Sequence, residues 1–169
     1  RMNSSRFPGK PLKLINNIPM VGHCYQRALL CKKLSAVYVA TCDLDIKNYI
    51  KSIGGNVIMT SKKHKRASER VSEAMLKIEK MTNKKTDIVV MIQGDEPMIT
   101  PKMILDSLAP FKNKDVNIVN LISKFDSLEQ FYSKDEIKVT VNKSNNAIYF
   151  SRSPIPFNSS NIKYPSLYK

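Results

Sequence analysis

A chain of 169 residues, 42% of them hydrophobic, holds enough apolar material for one cored globular domain; no segment reads as a signal peptide or membrane span, so a soluble, cytoplasmic protein is expected. Three cysteines, Cys24, Cys31 and Cys42, without Cys-x-x-Cys spacing, argue against a disulfide framework and a structural zinc site. The formal charge of +14 attracts polyanions of many kinds, but its lysines are scattered and its one dense run, Lys62 to Arg66, lacks the interleaved aromatics of a single-strand binder, so neither nucleic acid nor membrane is the expected partner.

The first segment, Arg1 to Leu12, gathers Arg1, Arg6 and Lys10 among Ser4, Pro8, Gly9 and Pro11. Such a stretch resists regular helix and can turn cations and backbone N–H groups toward one point, an arrangement suited to a polyphosphate. Met20 to Leu34 follows as a predicted helix, with Val21, Cys24, Ala28 and Cys31 at helical spacing. Val37 to Ala40 reads as a buried strand ending at Thr41, and Ile46 to Ile53 as a short helix stopped by Gly54-Gly55. Asn56 to Thr60 is the next strand, and Ser68 to Met81 an amphipathic helix.

Ile88 to Ile92 is an apolar run that ends in Gln93-Gly94-Asp95-Glu96-Pro97, so a predicted strand stops on a carboxylate. Pro101 to Phe111 is expected to be helical, with proline in its first turn. Val116 to Ile122 reads as one more strand. Lys138 to Val141 and Ala147 to Ser151 then flank a polar turn and read as a hairpin.

Continuous apolar strands separated by helices imply an α/β fold with a mostly parallel sheet, covered on both faces. Ligands on such sheets sit at the carboxyl ends of the strands, where Thr41, Thr60 and Asp95 fall. A phosphate-gripping loop combined with a strand-end carboxylate suits a magnesium-dependent nucleotide enzyme. One domain over residues 1–169 is expected. The loop at Arg1 lacks the strand that should lead into it, and the tail from Pro154 to Lys169 reads as the start of something further.

The pattern Arg1-x-x-Ser4-x-Arg6-x-Pro8-Gly9-Lys10-Pro11-Leu12 resembles the opening signature of the CMP-Kdo synthetases (3-deoxy-manno-octulosonate cytidylyltransferases). The resemblance continues through Val39-Ala40-Thr41, Gly54-Gly55, Met59-Thr60, His64 with Glu69-Arg70, and Gln93 to Pro97. It ends at Lys138-Val139 and Tyr149-Phe150-Ser151-Arg152 with Ile155-Pro156.

It implies a Rossmann-like, three-layer nucleotide-diphospho-sugar transferase fold with an added β-hairpin. The implied reaction moves CMP from CTP onto Kdo or a related acidic keto-sugar, for lipopolysaccharide precursors. By resemblance Arg1, Lys10 and Asp95 are the catalytic residues, and Arg1, Ser4, Arg6, Lys10, Arg70 and Gln93 hold the nucleotide. Asp95 would hold Mg²⁺, Arg152 would grip the sugar carboxylate, and a homodimer is implied.

Plainer readings stand beside these. Asp95 can cap a turn, Arg70 can be solvated or pair with Glu73 on its helix, Arg152 can be solvated, and His64 reads as a loop residue. A CMP-sialic-type transferase or a non-catalytic RNA- or anion-binding protein are the alternatives. The chain also departs from the family. Cys42 stands where an Asp is usual, Arg66-Ala67-Ser68 stands where Ser-Gly-Thr is frequent, and a second metal-binding Asp in a Gly-Val-Asp-Thr-Pro context is absent.

Overall fold

In the computed structural model, which describes Met2, residues 7–156 and residues 168–169, the chain forms two units, Arg1–Val119 and Asn120–Lys169. In the first, a 3-10 turn over Lys10–Leu12 leads into a hairpin absent from the sequence expectations. Its strands Leu14–Ile15 (β1) and Ile18–Pro19 (β2) pair antiparallel. Asn16 and Asn17 between them have φ of 47° and 64°, the paired left-handed conformation of a tight hairpin turn that asparagine tolerates.

Helix α1 spans Met20–Leu29 and stops short of the expected Leu34. From Leu30 the backbone tightens, with Cys31 N–H bonding Ala28 O at 3.0 Å and Leu34 N–H bonding Cys31 O at 3.1 Å. Strand β3 (Val39–Thr41), helix α2 (Leu44–Ser52) and strand β4 (Val57–Met59) follow. The two strands pair in parallel, Val39 opposite Val57 and Thr41 opposite Met59. The predicted glycine stop works in two ways. Gly54 takes φ 72°, cheap only without a Cβ, whereas a Cβ on Gly55 would sit 2.7 Å from Ile50 Cγ2 and 2.9 Å from Ile50 O.

Helix α3 covers Ala67–Thr82 and ends at Asn83 in a left-handed conformation. Helix α4 covers Pro101–Leu108, capped by the Thr100 hydroxyl, and continues into a 3-10 turn over Ala109–Lys112. Val21 and Tyr25 of α1 and Ile46 and Ile50 of α2 form one core cluster, against which Val39 and Val57 pack. Ala28, Cys31 and Ile104 form a second, joined by Val37, Val90 and Ile92.

The expected strands at Ile88 to Ile92 and Val116 to Ile122 do not form among the described residues, and the one parallel ladder is β3 with β4. A strand is defined by its hydrogen-bonded neighbour. Val90 and Ile92 do pack on the second cluster, but Ile88, Val89 and Met91 are exposed. The apolar run is therefore seated on helices from one side, without a ladder.

The second unit has a short helix the sequence reading lacked, α5 (Leu128–Tyr132), capped by the Ser127 hydroxyl. The expected hairpin follows as β5 (Lys138–Val141) and β6 (Ala147–Ser151), antiparallel. Its turn is organised by Asn142, whose side-chain oxygen accepts N–H groups of Ser144 and Asn146, each at 2.9 Å. Tyr168 bridges to both Lys124 and Val139. Among the described residues no helix is long and apolar enough to cross a membrane.

Candidate active site

The opening segment of the first unit is tied to the carboxyl end of β3. Gly9, at φ 71°, gives its N–H to Met2 O at 2.8 Å. Met2 in turn gives its N–H to Asp43 Oδ2 at 3.2 Å, and Asp43 N–H binds the Thr41 hydroxyl at 3.1 Å. The acidic segment is a turn, with Glu96 N–H on Gln93 O at 3.2 Å. It leans on α1: a Cβ on Gly94 would lie 4.0 Å from Val21 Cγ2, and the backbone of Glu96 hydrogen-bonds the Cys24 thiol. Burial pushes that thiol's pKa up, and the charges of Asp95 and Glu96 add to the rise.

Because the 3-10 turn also packs on α1, residues 85 positions apart meet. Lys10 Nζ lies 2.9 Å from Asp95 Oδ2, with both side chains partly open to solvent, 37% and 44% exposed. An exposed pair of this kind adds little to stability. It does place a cation and a hard carboxylate oxygen at one accessible point.

Arg70 is the second feature. It emerges from α3 and is only 8% exposed. Nη1 donates to the Thr60 hydroxyl, which itself donates to Thr41 O at 3.2 Å. Among the described residues Nη2 is buried without a partner. A guanidinium N–H left unsatisfied in a protein interior is costly, so this group, beside the ends of β3 and β4, is poised for an acceptor that the described residues do not supply. The simple solvated reading of Arg70 does not describe it.

Of the other predicted site residues, Arg1, Ser4 and Arg6 lie outside the described residues. Gln93 is exposed on the acidic turn. Arg152 belongs to the second unit, where Nη1 donates to Lys134 O and Asp135 O, each at 3.0 Å. Beside it Lys138, fully buried, donates to the carbonyls of Ser133, of Glu136 at 3.0 Å and of Arg152 at 2.9 Å. Nothing in Lys-Val-Thr-Val marks that lysine as an inward-facing clamp. Asp43 likewise takes its role from a partner distant in sequence, a backbone N–H brought from 41 positions away.

Among the described residues no group of three or more His, Cys, Asp or Glu could hold a metal ion by itself. On the acidic turn, Asp95 Oδ2 already faces a cation, the Lys10 ammonium.

The chain is similar to known proteins in sequence and in fold. The cytidylyltransferase family model matches residues 1–168. A 3-deoxy-manno-octulosonate cytidylyltransferase of Thermodesulfovibrio yellowstonii is 40% identical over 159 residues, 93% of this chain and 62% of that protein. An 8-amino-3,8-dideoxy-manno-octulosonate cytidylyltransferase of Shewanella pealeana is 39% identical over 167 residues, 98% of this chain and 67% of that one. A solved CMP:2-keto-3-deoxy-manno-octonic acid synthetase in complex with CTP superposes with a TM-score of 0.86 at 34% identity, covering 99% of this chain and 67% of its own. The chain thus spans between three-fifths and two-thirds of the length of these relatives.

Proposed function

Since the chain belongs to the cytidylyltransferase family, we propose that it transfers CMP from CTP to 3-deoxy-manno-octulosonate, or to its 8-amino analogue, and releases pyrophosphate. The observation that carries this reading is the meeting of Lys10 and Asp95 at 2.9 Å at an accessible point. In the reaction the sugar's anomeric hydroxyl oxygen gives up its proton to water and bonds to the α-phosphorus, the bond to the bridging oxygen breaks, and pyrophosphate leaves with the electron pair. Negative charge concentrates on phosphoryl and leaving oxygens, where a fixed cation lowers the barrier most. Lys10 supplies that cation by leaving Asp95 for the phosphates.

Mg²⁺ fits Asp95, because a hard ion takes hard oxygens and completes its shell with phosphates and water rather than an all-protein cage. When bound it neutralises phosphate charge. Arg70 offers its unpartnered Nη2 to an acceptor on the cytidine, and Gln93 lies on the same turn as Asp95. Arg1, Ser4 and Arg6 complete the grip on the nucleotide, and Arg152 binds the sugar carboxylate through the N–H groups not given to Lys134 and Asp135. The reading also includes a cytoplasmic homodimer that feeds lipopolysaccharide synthesis; exposed Ile148, Tyr149 and Phe150 of β6 are apolar surface available for a second copy.

Mixing the protein with CTP, Mg²⁺ and Kdo should release pyrophosphate, and the 8-amino sugar in place of Kdo ranks the two acceptors. Release that is equal without any sugar acid would overturn the transfer reading.

A further inference from the structure

In the sequence His64 stands in a lysine run and in the family pattern ahead of Glu69-Arg70, and its side chain is the tie that holds the middle of that run to α3. Nε2 hydrogen-bonds the Glu73 carboxylate, and Nδ1 lies 3.9 Å from Glu69 Oε2. The ring is mostly enclosed, 22% exposed. The same two glutamates collect the loop's backbone. Glu73 Oε2 accepts the Ser61 N–H at 2.9 Å, and Glu69 Oε2 accepts the N–H groups of Lys65 and Arg66 at 2.8 Å and 3.2 Å. Lys77 closes the cluster, 2.7 Å from Glu73 Oε1.

Glu69 and Glu73 flank Arg70 on the helix, and the loop begins at Ser61, the residue after the threonine that Arg70 binds. Backbone bonds secure the loop at its two ends. Among the described residues, His64 is the loop side chain that fastens its centre to the helix. Without it, Lys62, Lys63 and His64 itself would be held by their neighbours alone, next to a buried guanidinium with an unspent N–H.

We propose that His64 is a positioning residue for nucleotide binding, closing the Ser61–Arg66 loop onto α3 so that Arg70 stays fixed at the ends of β3 and β4. The inference rests on the reading of Arg70 as a nucleotide contact. It makes His64 act through Arg70 and not through any contact of its own with the substrate.

The test uses His64→Ala beside His64→Gln, whose amide N–H can still reach Glu73. CTP affinity with Mg²⁺ present should fall roughly tenfold in the alanine variant, the loss of one hydrogen bond to a charged group, and return to near wild type in the glutamine variant. The loop also carries its own reporter, since trypsin cuts after Lys62, Lys63, Lys65 and Arg66. Cleavage there, mapped by mass spectrometry, should quicken in His64→Ala and slow again in His64→Gln. If wild type binds CTP and His64→Ala binds it equally well, or if His64→Gln is no better than His64→Ala, the positioning role is wrong. If wild type itself binds no CTP, the nucleotide reading fails instead.

Discussion

Arg70→Met separates function from stability at a single atom group. Methionine is unbranched and apolar, so it can follow the arginine's path through the interior while deleting the charge and the forked N–H groups. The native residue is 8% exposed with Nη2 unpartnered. Replacing a buried, incompletely bonded charge with an apolar side chain is near neutral or stabilising. Thr60 loses the N–H it accepts but still donates to Thr41 O. The melting temperature should therefore stay within about 4 °C of wild type, the shift for roughly 1 kcal/mol in a chain of this size.

Nucleotide binding should respond quite differently. A hydrogen bond to a charged group is worth about 1.5–3 kcal/mol, which predicts CTP affinity weaker by roughly 10- to 150-fold. Calorimetric titration of CTP with Mg²⁺ gives the affinity, and thermal unfolding without nucleotide gives the stability. Binding within about threefold of wild type, under about 1 kcal/mol, would refute the assignment of Arg70 to the nucleotide. A large fall in melting temperature would refute the claim that its unsatisfied N–H is a cost in the free protein.

Three further outcomes follow from the same geometry. Asp95→Asn and Lys10→Gln should each weaken CTP·Mg²⁺ binding at least about tenfold, yet each should cost no more than about 1 kcal/mol of stability because their ion pair is exposed; unfolding and titration on the same samples check both. Glu73 is held down to about 2 from its ordinary 4.5, first by the Lys77 hydrogen bond and then by the Ser61 N–H and His64. A folded pKa below the unfolded one contributes stability above pH 4.5, and that stability is lost as pH falls from 4.5 toward about 2. Thermal melts across that window should be flatter for Glu73→Gln than for wild type. Gly55→Ala must press a methyl against Ile50, including its carbonyl oxygen at 2.9 Å, and should destabilise by about 1–3 kcal/mol while CTP affinity below the melting range is unchanged.

Much of the first unit was legible because its signals are local. Gly54-Gly55 stops α2, Thr100 and Pro101 open α4, and the period of Ser68 to Met81 gives α3 nearly to the residue. The Leu14–Pro19 hairpin was equally local, and its Asn16-Asn17 turn between apolar pairs could have been read from turn chemistry. Ile88 to Ile92 failed for the opposite reason: an apolar run predicts burial, and Val90 and Ile92 are indeed packed, but a ladder depends on a neighbour the run cannot specify.

The candidate site divides along the same line. Motif spacing named Lys10, Asp95 and Arg70 without showing that α1 brings the first two together, or that the third is buried one hydrogen bond short. His64 and Lys138 were opaque because each matters through partners contributed by tertiary structure, Glu73 for one and the carbonyls of Ser133, Glu136 and Arg152 for the other.

In the proposed reading Lys10, Asp95 and Arg70 form a receptor for a cytidine triphosphate. Titrating the protein with CTP in the presence and absence of Mg²⁺, with UTP as competitor, addresses it without requiring turnover. Saturable CTP binding that strengthens with Mg²⁺ and resists displacement by UTP is the predicted result. Binding that ignores Mg²⁺, treats the two bases alike and fades in step with added salt would contradict it, leaving only the attraction of a basic surface for a polyanion.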